Sequence, residues 1–227
     1  LGVDVFAALT SGDNNTAVGF AALDANTTAS NNTAVGKSSL GANTTGASNV
    51  AVGDGAFNAN TTASNGVAVG CEALKSNTNA DQNTAIGYQS IYSNTTGSQN
   101  TAVGYQSLYR NTNSTNTAVG SQALYNNQSG NTNVAMGQRA AYTNNSGDYN
   151  VALGVQSLYL NSSGNNNVAV GHRSLYNNTA ADNTAVGKEA LTANTTGTTN
   201  VAVGKDALLD STTGSENTAV GYRSLYN

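Results

Sequence analysis

Small, apolar and polar positions recur in one fixed order along this chain. Each copy reads Asn-Thr/Val-Ala-Val-Gly, from Asn15-Thr16-Ala17-Val18-Gly19 to Asn217-Thr218-Ala219-Val220-Gly221. The copies start at positions 15, 32, 49, 66, 83, 100, 116, 133, 150, 167, 183, 200 and 217. The period is therefore 17 residues, shortened to 16 after positions 100 and 167, and Gly66 replaces the opening Asn in one copy. A fixed period this short along the whole chain marks a solenoid, in which a single repeat cannot bury its own apolar face and stacking supplies the core.

Aligning the copies with one another gives columns, counted from the opening Asn. Alternation along a short strand puts the second and fourth columns on one face and the third on the other. The second column is Thr or Val, and the fourth is Val, with Ile86, Met136 and Leu153 as variants. These β-branched and apolar positions are expected to fill the coil, joined from a second segment by the ninth column, which is Leu apart from Phe57, Ile91 and Ala141. Gly in the fifth column is read as a corner requiring positive φ or close backbone approach. Asn in the first and twelfth columns is expected to stack into amide ladders at the corners. The stretch from the twelfth to the seventeenth column, such as Asn26-Thr27-Thr28-Ala29-Ser30-Asn31, is turn chemistry that absorbs both one-residue deletions. The expected fold is all-β: a parallel β-roll or β-solenoid of about thirteen coils of 16–17 residues, with residues 1–227 a single array and a partial coil over residues 1–14. Leu1-Gly2 fits the end of one pentapeptide and Asn227 falls inside a copy, so the chain reads as a window of a longer protein.

The third column is Ala in every copy: Ala17, Ala34, Ala51, Ala68, Ala85, Ala102, Ala118, Ala135, Ala152, Ala169, Ala185, Ala202 and Ala219. With its neighbours assigned to the interior, this column is expected to face outward. Its uniformity then points to close packing, either against an identical neighbouring chain or against another segment of the same coil. The first reading makes these alanines a chain–chain interface.

Composition narrows the chemistry. Charged residues make up 9% of the chain, the net charge is −4 and there is no Pro. Eight basic residues in 227 do not neutralise a row of phosphates, so nucleic acid is not expected as a partner. No apolar run approaches the roughly 20 residues that span a bilayer. Lone Cys71 and lone His172 share the permissive sixth column, which reads as surface variation rather than a metal site or nucleophile pair. Glu189 and Asp206 share the seventh column in adjacent copies. Paired carboxylates can hydrolyse glycosides, but Arg173, Lys188 and Lys205 beside them favour an exposed ion-pair ladder. No enzyme activity, cofactor or metal is expected.

Two further patterns are candidate surfaces. The tenth column carries Tyr92, Tyr109, Tyr125, Tyr142, Tyr159 and Tyr176 in consecutive copies. This aromatic stripe reads as a structural ladder or interface lining, or else as a platform for sugar rings or another surface. Asn-x-Ser/Thr sequons at Asn26, Asn43, Asn60, Asn94, Asn144 and Asn194 are candidate glycosylation sites, although the turn ladder is the stronger reading. Thr in the thirteenth and fourteenth columns raises ice binding as a minor possibility.

Asn165-Asn166-Asn167-Val168-Ala169-Val170-Gly171 resembles the head repeat of trimeric autotransporter adhesins. The longer unit Tyr88-Gln89-Ser90-Ile91-Tyr92-Ser93-Asn94-Thr95-Thr96-Gly97 is similar to repeats of large bacterial surface proteins and phage tail-fibre proteins. The resemblance covers essentially the whole chain, with a longer period than the adhesin head. It implies a left-handed roll, three copies side by side in a homotrimeric fibre, and an extracellular, cell-surface or virion location. The expected function is structural and adhesive: a stalk or head mediating attachment to a surface receptor or glycan. The alternative is the shaft of a phage tail fibre carrying host recognition elsewhere.

Overall fold

The structure, a computed structural model, describes residues 2–226; Leu1 and Asn227, on which the reading of the chain as a window rests, lie outside them. Its coils fall into two compact units, Leu1–Thr115 and Asn116–Asn227. The first holds six three-residue strands, from Thr16–Val18 to Thr101–Val103. The second holds seven, from Thr117–Val119 to Thr218–Val220. Within each unit, neighbouring strands pair in parallel and in strict column register: Ala17 faces Ala34 and Ala34 faces Ala51, and in the second unit Ala118 faces Ala135. Each unit is thus a stretch of parallel β-solenoid, the all-β stack that the period implies.

Alternation holds, but the faces are exchanged relative to the sequence-based expectation. The third-column alanines point into the coil, and all thirteen are buried within the single chain, from 0% to 7% exposed. The second and fourth columns point outward, giving strand burial patterns such as intermediate–buried–exposed for Val50–Val52. The interior therefore consists of the opening Asn, the Ala, the small eighth residue, the Leu of the ninth column, the twelfth-column Asn and the small fifteenth-column residue. The first-column Asn, whose amide is hydrogen-bonded inside the coil, shares a strand face with the Ala and so fixes it inward. The alanines are covered by their own coil, so the chain–chain role expected for Ala17 through Ala219 does not survive.

Backbone hydrogen bonding runs both ways along the stack. Thr33 N–H donates to the Asn49 carbonyl of the next coil (2.8 Å), and Gly36 N–H to the Val18 carbonyl of the previous one (2.7 Å). Outside the strands the pairing continues: Ser38 N–H reaches back to Phe20 O and Leu40 N–H forward to Ala56 O. This alternation accompanies left-handed residues in the seventh and ninth columns, with φ of 52° at Ser38 and 49° at Leu40. A left-handed non-glycine residue costs roughly 1–2 kcal/mol. Burial of the Leu, worth about 1.5–3 kcal/mol, offsets it.

Two asparagine ladders fill the polar part of the interior. In the first column, Asn15 Oδ1 accepts from Asn32 N–H, Asn32 Oδ1 accepts from Asn49 N–H, and each Nδ2 bonds a fifteenth-column carbonyl of its own coil, as Asn32 does to Gly46 O. In the twelfth, Asn43 Nδ2 donates to Asn26 Oδ1 and to Gly46 O, and Asn60 Nδ2 to Asn43 Oδ1 and Ala63 O. The short coils keep these bonds with one residue fewer. Asn178 Nδ2 reaches Ala180 O, two residues on, where Asn161 reaches Gly164 O, three residues on. The deletions are absorbed in the turn after the twelfth column, as its composition suggests.

Two exceptional residues explain each other. Phe57 fills a ninth-column site with a ring larger than Leu, and Gly66 leaves a first-column site without its Asn. A Cβ on Gly66 would lie 2.4 Å from Phe57 Cε1, so the ring occupies the volume that the missing side chain would take. Gly66→Asn alone should destabilise by overpacking, about 1–3 kcal/mol, and Phe57→Leu alone should leave a void. The double variant, which restores both common residues, should be more stable than the sum of the singles by about 2 kcal/mol in urea titrations. Additive single effects would contradict the pairing.

Candidate functional site

The outer face of each strand sheet is the first candidate surface. Its two columns carry only Thr, Val, Ile, Met and Leu, with no charge in any copy. Val18, Val52, Ile86 and Met136 remain 44%, 36%, 40% and 46% exposed. The sequence held a signal for this: Thr and Val interchange freely in the second column, as partly solvated isosteres do.

The tyrosine column is the second. In the first unit Tyr92 and Tyr109 stack with ring centroids 5.0 Å apart. In the second unit Tyr125, Tyr142, Tyr159 and Tyr176 form one continuous stack at 5.2, 5.3 and 5.0 Å, nearly parallel at 11°, 9° and 8°. The rings are half-buried. Inside the stack each ring face is covered by its neighbour, so a sugar ring cannot lie flat on an internal tyrosine; the edges remain. A second pair, Tyr88 and Tyr105 in the sixth column, stacks at 5.6 Å and was not anticipated from the repeat.

Beside the tyrosines runs a polar ladder that the sequence reading did not single out. In the first unit Gln106 Nε2 donates to Gln89 Oε1 and Gln89 Nε2 to Glu72 Oε2. The bonds from Gln89 and Lys75 hold the Glu72 carboxyl below its ordinary range, and the bond to Glu72 raises Lys75. In the second unit Arg139 Nε donates to Gln122 Oε1 and Arg173 Nε to Gln156 Oε1, each at 2.9 Å. The same guanidiniums lie 5.8 Å from the Tyr142 centroid and 5.4 Å from that of Tyr176, the latter a stack-end ring within cation–π range.

The remaining candidates resolve as follows. Glu189 and Asp206 sit in an ion-pair ladder: Glu189 approaches Lys188 and His172, and Asp206 approaches Lys205 and Arg223 at 3.7 and 3.5 Å. Asp206 is buried and its Oδ1 has no hydrogen-bond partner. With cations on both sides, the pair is arranged for charge balance. Cys71 is exposed. Among the described residues no three His, Cys, Asp or Glu side chains gather. Asn26, Asn43, Asn60, Asn94, Asn144 and Asn194 are fully buried in the twelfth-column ladder, with Nδ2 hydrogen-bonded within it. A folded coil offers none of these amides to a glycosyltransferase, which corrects the sequon reading. Thirteenth-column hydroxyls are spent on the next coil's backbone, as from Thr44 Oγ1 to Thr61 O at 2.9 Å, which removes half of the hydroxyl array considered for ice.

Comparison of the chain with protein-family models, with curated proteins and with solved structures finds no match.

Proposed function

We propose that the chain is a non-enzymatic structural and adhesive segment of an extracellular, homotrimeric fibre, whose copies associate through the outer sheet face. The observation that carries the reading is that face: two outward columns, half-buried to exposed and free of charge in every copy. Soluble chains seldom leave such a contiguous apolar surface uncovered. Three copies turning this charge-free face toward a common threefold axis would each meet one neighbour along either edge of it, the heterologous contact that closes a ring. The resemblance to adhesin heads supports the trimer and the extracellular setting.

Val52→Lys with Val186→Lys tests this. Both side chains point outward and are 36% exposed, so a lysine there leaves the coil interior intact. The parent chain should sediment as a trimer at micromolar concentration. The double variant should sediment as a monomer, with unchanged far-ultraviolet circular dichroism. A parent chain that is monomeric at that concentration would overturn the assembly.

A further inference from the structure

We infer that the tyrosine–arginine ladder of the second unit binds a linear acidic polysaccharide with one carboxylate per disaccharide, laid along the stack with successive carboxylates on Arg139 and Arg173. This deepens the adhesive reading, on which it rests for its setting though not for its chemistry.

The chain as a whole is acidic, at −4. Yet from Gln122 to Tyr176 the sixth, seventh, tenth and eleventh columns contain no Asp or Glu and two exposed Arg. Elsewhere in the seventh column the charges are balanced: Glu72 has Lys75, Glu189 has Lys188, and Asp206 has Arg223. Arg139 and Arg173 make no ion pair among the described residues; Glu189, one coil beyond Arg173 in the same column, is engaged by Lys188 and His172 instead. Each is nonetheless held in place, by its Nε on a glutamine of the preceding coil and by its plane near a tyrosine ring. That leaves the terminal guanidinium nitrogens for a fork onto a carboxylate.

Spacing selects the ligand. The two arginines are two coils apart, about 10 Å at one strand spacing per coil. A disaccharide has a similar length, so one carboxylate per disaccharide meets one arginine per two coils. A single-stranded nucleic acid presents phosphates far more densely than two cations in four coils can match. Gln156 and Asn177 add hydrogen-bonding groups suited to sugar hydroxyls. Each exposed ion pair contributes little, so affinity comes from several contacts along one polymer.

Hyaluronan oligosaccharide, which alternates uronate and neutral sugar, is the probe, with its carboxyl-reduced form as the neutral control. Calorimetry or biolayer interferometry on the full chain should show hyaluronan binding that weakens with salt and at least tenfold weaker binding of the reduced form. Arg139→Gln with Arg173→Gln should weaken hyaluronan binding about tenfold or more. Glutamine already occupies this column at Gln122 and Gln156, so the fold should persist, as circular dichroism would verify. Equal binding of the reduced polymer, no loss in the double variant, or preference for an oligothymidylate would overturn the proposal. Sedimentation of the same samples reads assembly separately: a monomer that binds hyaluronan would overturn the trimer and leave this site standing.

Discussion

Gly87→Ala is expected to destabilise the first unit by about 3–5 kcal/mol, far more than a methyl group usually costs. Gly87 sits at φ 128°, a region essentially reserved for glycine, and the conformational cost alone is of order 1–3 kcal/mol. Its added Cβ would also lie 2.5 Å from the Gly104 carbonyl oxygen and 2.7 Å from its carbon. Both are backbone atoms of the next coil, so no rotamer change relieves the clash. The coil has to move away, at the expense of ladder bonds such as Thr84 N–H to Asn100 O (2.8 Å) and Gly104 N–H to Ile86 O (2.7 Å). Gly55→Ala is the control. Gly55 has φ 63°, an added Cβ would meet only Glu72 Cγ at 3.8 Å, and Ala21 already occupies the same column at φ 52°. Its cost should be that of a left-handed alanine alone, about 1–2 kcal/mol. Urea midpoints should separate the two, and amide hydrogen exchange should place the Gly87→Ala opening between residues 83 and 104. Similar midpoints would mean that the coils are not held at the close spacing seen at this corner.

The period, the strands, their register, the glycine corner and the asparagine ladders were all legible in the repeat, because each is a backbone requirement met identically in every copy. The inside of the strand was not. Assigning Val to the interior and Ala to the surface assumes an interior with room for branched side chains. The first and third columns share a strand face, however. An Asn whose amide is consumed inside the coil carries the Ala inward with it. Invariance marked the interior, and the drift among Val, Ile, Met and Leu marked the outside. The tyrosine column was legible as a stack. Its partnership with Arg139 and Arg173 was not, because it depends on two side chains in a column that otherwise varies. Phe57 and Gly66 were each visible as exceptions; only their contact shows that one permits the other.

The buried ladders also make the coil sensitive to a change of one atom. Asn60 is fully buried, with Nδ2 donating to Asn43 Oδ1 (2.8 Å) and Ala63 O (3.0 Å) and Oδ1 accepting from Ala63 N–H (3.0 Å). Asn60→Asp keeps the shape and the acceptor but replaces the donor with an oxygen. At neutral pH the ionised carboxylate introduced there would face two acceptors without a proton between them, in a site closed to water. Each orphaned buried acceptor costs about 1–3 kcal/mol, so a loss of at least ~3 kcal/mol is expected at about pH 7. Burial and the facing oxygens raise the folded-state pKa of this carboxyl above its unfolded value of about 3.9. The sign follows: the protonated acid restores one donor, so stability is regained below the unfolded pKa and lost as pH rises through the folded one. The stability difference between variant and parent should therefore narrow as the buffer is acidified from about pH 7 toward about pH 4. Asn60→Ala should show no such recovery, since nothing at that position titrates. A pH-independent deficit in Asn60→Asp, equal to that of Asn60→Ala, would mean that the ladder serves as packing and not as a donor chain.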